Sequence, residues 1–275
     1  MGEVGRQAAK AAGAAEKATE SRGFVLAARV GFVAAGLLHV MIGVIALRIA
    51  SGGSGTADQS GAIQELATTP GGGVLLWICF LGCVALALFL LAQALVGAGR
   101  RRGREQTKAR LKAAGQAVVY GAIGAAFGVF ALGGSSSSSR STQSLTATLM
   151  ANPAGTVLLT GIGLGLIVAA GYYVYSGATR RFRKNLRTLP PGPAGTAVTV
   201  VGSVGYIAKG IALGVLGVVV TMAAAQHDPQ RSTGLDGALK ALQQQPYGAW
   251  LLGAVAVGLI GYGLYLVVRA RYQRM

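Results

Sequence analysis

Two ionisable side chains, His39 and Lys209, fall inside long apolar stretches of the chain. A charge is expensive there, so each marks a candidate functional site by default. Imidazole titrates near physiological pH, which makes His39 a candidate to ligate haem or relay protons. It has no companion for haem, because the other histidine, His227, falls in a polar stretch beside Asp228 and Pro229. The simpler expectation is a structural histidine bonded to a carbonyl or hydroxyl of a neighbouring helix. Lys209 lies just inside a turn expected at Gly205, where its long side chain can snorkel to the headgroups or contact an anionic lipid or a partner's carboxylate.

Other chemistry is excluded by what the sequence lacks. It contains no Ser-His-Asp or Cys-His arrangement, no His-Glu-x-x-His and no P-loop. The string Gly161-x-Gly163-x-Gly165 lies within an apolar run and not after a strand, so it is no dinucleotide fingerprint. No carboxylate falls in an apolar run, which removes the usual coupling groups of an ion-driven transporter. Cys79 and Cys83, one helical turn apart, read as packing residues and not as metal ligands or a disulfide. The expectation is a non-enzymatic protein with no cofactor and no metal.

The elements that must position these residues follow from composition. Of 275 residues, 52% are hydrophobic, 12% are charged and 44 are glycine, which is far more apolar than a soluble domain. Six stretches, 28–50, 74–98, 113–133, 155–178, 197–224 and 248–268, reach the roughly 20 residues a helix needs to cross a bilayer. Arg100, Arg101, Arg102, Arg104, Lys108, Arg110 and Lys112 separate spans two and three, and Arg180, Arg181, Arg183, Lys184 and Arg187 separate spans four and five. Basic loops stay in the cytoplasm, which places both termini inside. The formal charge of +17 thus orients insertion and favours anionic lipid headgroups, with no nucleic-acid partner implied. Residues 1–23 lack the apolar core of a signal peptide and read as a cytoplasmic amphipathic segment.

Aligned on its prolines, the chain shows a repeat. Leu66-x3-Pro70-x-Gly72, Leu149-x3-Pro153-x-Gly155 and Leu242-x3-Pro246-x-Gly248 are each followed at the same spacing by a Leu-Leu pair. Gly82, Gly165 and Gly258 lie at one common distance from the proline, and Phe89, Tyr172 and Tyr265 at another. Upstream, each unit carries a glycine pair seven apart: Gly36 and Gly43, Gly121 and Gly128, Gly210 and Gly217. In lipid such glycines let helix backbones approach closely. Between the two spans of each unit lies a short amphipathic segment, with Ile63 and Leu66, Leu145 and Leu149, or Leu239 and Leu242 on one face. Proline halts that segment, and the glycine after it is expected to supply the sharp turn into the returning helix. Repeats at 24–104, 105–188 and 189–275 account for the chain after residue 23, with a pseudo-three-fold symmetry expected among them.

The three-fold two-helix layout, the Pro-x-Gly corners, and Gly31-Phe32-x-Ala34-x-Gly36 echoed in Gly205-Tyr206-x-Ala208-Lys209-Gly210 resemble an actinobacterial membrane family, domain of unknown function twelve-oh-six. The resemblance covers nearly everything after residue 25. It implies an all-α integral membrane protein of six transmembrane helices in a bacterial plasma membrane, and it brings no activity with it. The second copy departs from the pattern, with Gln116-Ala117 where the others have Gly-Phe or Gly-Tyr.

Three functions are compatible with these features. The first is a non-enzymatic scaffold or accessory subunit that binds lipid, a membrane protein complex or further copies of itself. The second is a channel or facilitator with a path between the repeats, and the third, weaker, is a membrane enzyme or redox subunit using His39.

Overall fold

The structure, a computed structural model, describes residues 22–95, 104–186 and 192–272. Residues 1–21 of the expected N-terminal segment, and Arg100, Arg101 and Arg102, lie outside the described residues. Nine α-helices are present among the described residues: α1 (Arg22–Ala50), α2 (Gln59–Ala67), α3 (Gly72–Leu95), α4 (Arg104–Ala131), α5 (Ser138–Met150), α6 (Pro153–Ala178), α7 (Pro193–Gln226), α8 (Gly234–Gln243) and α9 (Gly248–Tyr272). No strand occurs among these residues.

Helices α1, α3, α4, α6, α7 and α9 are long and apolar enough to cross a membrane. A backbone in hydrocarbon must satisfy its own hydrogen bonds, which is why such runs fold as uninterrupted helices. The protein is therefore an all-α integral membrane protein. Its order of long, short and long helix, three times over, makes three tandem two-helix repeats: α1 with α3, α4 with α6, and α7 with α9.

The chain forms two compact units. Among the described residues, one holds 22–35, 69–95 and 104–134, and the other holds 36–68, 135–186 and 192–272, with the division passing through α1. In the first unit the start of α1 packs on α3. A methyl group added at Gly31 would lie 2.6 Å from the Gly82 carbonyl oxygen, so only a bare backbone fits. Gly124 and Gly128 of α4 meet Cys83 and Phe80 of α3, while Cys79 and Cys83 are buried free thiols.

The second unit repeats this device twice. A methyl group at Gly210 of α7 would lie 2.9 Å from the Ala170 carbonyl oxygen of α6, and one at Gly217 would lie 2.8 Å from that of Gly163. On α1, a methyl group at the corresponding positions Gly36 and Gly43 would lie 2.7 and 2.8 Å from the carbonyl oxygens of Gly263 and Ala256 on α9. Ala170 and Gly263 stand at the same distance from their corner prolines, as do Gly163 and Ala256. Two of the three glycine pairs thus seat the returning helix of another repeat, with α7 taking α6 and α1 taking α9; in the third, Gly128 meets Phe80 but a methyl group at Gly121 would reach only Ala87, at 4.0 Å. Gly165, by contrast, is exposed and its missing side chain would meet nothing within 4 Å.

The corners differ from their expected mechanism. The left-handed backbone falls on the residue between proline and glycine, Gly71 (φ 78°) in the first copy and Tyr247 (φ 59°) in the third. Gly72, Gly155 and Gly248 instead lie buried in the first turn of the returning helix. A side chain at Gly155 would run into the Leu149 carbonyl, and one at Gly248 into the Gln243 carbonyl. Close approach is what Gly155 and Gly248 require of glycine, and they supply no turn.

In the second unit the short helices α2, α5 and α8 are tied together by polar bonds. Asp236 on α8 accepts from the Ala57 backbone N–H at 2.8 Å and pairs with Lys240 at 2.7 Å. Ser60 of α2 accepts from the Ser138 N–H of α5 at 3.0 Å. Thr146 of α5 donates to Ser232 at 3.0 Å, and Gln243 donates to the Ile49 carbonyl at 2.8 Å. Ile63, Leu66 and Leu239 are buried beneath this cap, whereas Leu145 is exposed and Thr146 takes the inward place on α5.

Candidate intramembrane cation site

Lys209 sits near the midpoint of α7, about 24 Å along the helix from Pro193 at 1.5 Å per residue. The helix runs straight through Gly205, so the turn expected there does not exist. Gly205 serves instead to admit α9, since a methyl group at that position would lie 2.5 Å from the Tyr262 nitrogen. This contact explains why Lys209 does not snorkel: its stem begins at a close helix crossing, far from either helix end.

The Lys209 ammonium lies 3.4 Å from His39 Nε2 of α1 and donates to the Tyr262 hydroxyl of α9 at 3.3 Å. It also stands over the Tyr262 ring at 4.3 Å and the Tyr173 ring of α6 at 5.2 Å. For Nε2 to accept, His39 must be neutral with its proton on Nδ1. The two intramembrane ionisable residues, singled out separately in the sequence, are thus brought together. Aromatic rings offer a cation their negative faces, so His39, Tyr262 and Tyr173 together form a neutral cradle for one positive charge.

An aromatic cluster supports the cradle. Tyr206 stacks on Phe182 at 4.9 Å and meets Tyr262 and Tyr265 edge-on at 5.4 Å each. Tyr265 is 1% exposed, and its hydroxyl has no hydrogen-bond partner among the described residues. Arg269, about one turn beyond Tyr265 on α9, adds a second positive charge to the neighbourhood. No carboxylate lies in any of the six spans. Among the described residues no group of three or more His, Cys, Asp or Glu comes together.

Sequence reasoning missed Tyr262 and Tyr173. Its neighbours Tyr172 and Tyr175 are exposed while Tyr173 turns to Lys209. Nothing in the spacing of Gly261-Tyr262-Gly263 points to position 39, because the contact depends on how three spans pack.

The basic residues after α6 form a separate place. Arg180, in the left-handed region at φ 56°, and Arg183 line a cavity of about 250 Å³ with Thr196 and Thr199 of α7. Arg181 lies over the Tyr175 ring at 5.2 Å.

Three successive stretches, residues 30–97, 111–180 and 204–273, match one family model, described as Domain of Unknown Function (DUF1206). Uncharacterized protein YxxB of Bacillus subtilis (strain 168) is 32% identical over 251 residues, which span 90% of this chain and 90% of that protein. No solved structure matches the chain.

Proposed function

The chain belongs to the DUF1206 family, and from that premise we propose that it is a non-enzymatic scaffold or accessory subunit of the bacterial plasma membrane that binds lipid or a membrane partner. Lys209 carries this reading. Its ammonium sits in mid-span on neutral partners, and no span contains a carboxylate to balance it. A cation in hydrocarbon is stabilised most by an opposite charge, so an acidic group from a lipid or a partner's helix completes the site. The Arg180 and Arg183 cavity gives anionic headgroups a second foothold on the face that the positive-inside rule assigns to the cytoplasm, with both termini on that side.

A mild-detergent purification tests the reading. The wild-type chain is expected to carry a partner or an ordered lipid that Lys209→Met loses while eluting at an unchanged size. A clean wild-type monomer, or a variant that keeps the same companion, would overturn it. The second reading, a facilitator with a path between the repeats, has the bonded cap of α2, α5 and α8 against it. Anion or solute flux into liposomes that is unchanged by the protein would remove it.

A further inference from the structure

A groove of about 630 Å³ lies between α7 and α8 in the second unit, apart from the Lys209 cradle. Val218, Val219 and Met222 of α7 and Ala241 of α8 give it apolar walls, and it runs down α7 as far as Gly214. That stretch of helix, Gly214 to Met222, rises about 12 Å. Its polar lining lies off α7, with Arg231 just ahead of α8 and Gln244 and Gln245 just after it. The groove therefore has the polarity profile of a lipid, apolar along its depth and cationic at its mouth.

Its place in the chain narrows the occupant. The walls belong to a membrane span, so the medium that fills them is hydrocarbon and not water. An acyl chain gains little by leaving other lipid tails for a protein groove, which means that any selectivity resides at the mouth. Only Nε of Arg231 is engaged there, on Asp228 at 3.1 Å, and the rest of the guanidinium fork has no partner among the described residues. A guanidinium fork matches the paired oxygens of a phosphate. Gln244, past the other end of α8, adds an amide donor to the lining.

We propose that the groove between α7 and α8 holds one phospholipid, with an acyl chain along Val218, Val219 and Met222 and its phosphate on Arg231. The site lies in the leaflet next to the α2, α5 and α8 cap and does not depend on the Lys209 reading.

The test uses the full chain in mild detergent, titrated with phosphatidylglycerol and, separately, with diacylglycerol, and read by native mass spectrometry. The wild type is expected to retain one phosphatidylglycerol through washing that removes bulk lipid. Arg231→Gln should weaken phosphatidylglycerol about tenfold and leave diacylglycerol binding unchanged, as expected for loss of one charge-assisted contact. Val218→Trp, or Ala241→Leu should the first fail to fold, fills the groove and removes both ligands. Lys209→Met should keep the adduct, which separates this site from the cradle. Wild-type binding of diacylglycerol as tight as that of phosphatidylglycerol, or an undiminished adduct in both Arg231→Gln and a groove-filled variant, would overturn the proposal.

Discussion

His39 Nε2 and the Lys209 ammonium, 170 positions apart in the chain, meet at 3.4 Å in the middle of their helices. The contact joins the first span of the first repeat to the first span of the third. Its energetic sense is particular: an imidazole with its proton on Nδ1 can lend the Nε2 lone pair to a cation that no acid in the spans balances.

The two residues are accordingly predicted to respond differently to replacement. Lys209→Met removes an uncompensated charge from a span and should leave thermal stability in detergent unchanged or raised, by up to about 2 kcal/mol. His39→Leu strips an acceptor from the cation and should cost about 1–3 kcal/mol. His39→Gln, which retains an acceptor, should recover most of that loss. Unfolding temperatures of the three variants check the ordering, and a destabilised Lys209→Met beside a neutral His39→Leu would contradict it.

Glycines at helix contacts should divide from glycines on open faces. Gly217→Leu drives a side chain into the Gly163 carbonyl and Ile167 of α6 and is expected to cost about 1–3 kcal/mol by overpacking. Gly165→Ala, at an exposed position with nothing within 4 Å, should be neutral or stabilising by up to about 1 kcal/mol, because alanine restrains the helix better. Equal losses at both positions would show that the α6–α7 contact is not the one described.

The short-helix cap should come loose at Asp236. Asp236→Ala removes the acceptor of the Ala57 N–H and the partner of Lys240, leaving a buried donor unpaired at a cost of about 1–3 kcal/mol. Hydrogen exchange of the Ala57 amide should quicken in that variant while amides in the middle of α7 keep their protection. An unchanged Ala57 rate would mean that the bond does not hold in solution.

Membrane orientation is open to labelling. Arg181→Cys and Ser144→Cys place thiols at exposed positions at opposite ends of the spans, and the native Cys79 and Cys83 are buried and give little background. A membrane-impermeant maleimide applied to intact cells should mark Ser144→Cys alone, with Arg181→Cys reacting only after lysis. The reverse pattern would invert the topology.

At the third corner, Tyr247 holds a left-handed conformation that a side chain disfavours. Tyr247→Gly should stabilise the chain by up to about 1 kcal/mol in thermal unfolding, since the exposed tyrosine ring loses little packing. A clear loss would show that the ring is held by contacts of its own.

Much of this architecture is written locally. Span number and the three-fold unit follow from residues near one another in sequence, because an apolar run of sufficient length has no option in hydrocarbon except helix, and proline and glycine punctuate it wherever they stand. Glycine pairs seven apart could likewise be read as contact faces, since a backbone without side chains is useful in lipid chiefly for close approach. Which helix each face meets was not legible: that Gly36 seats Gly263, at the far end of the chain, depends on how the spans assemble.

The cradle shows the limit most plainly. His39 and Lys209 could each be singled out by the cost of a polar group among apolar neighbours, a property of each position taken alone. Their pairing, the inward turn of Tyr173 and the arrival of Tyr262 could not. A side chain in a span takes its partner from whichever helix the packing of bare backbones brings within a few ångströms, and that choice exists only once the helices have closed on one another.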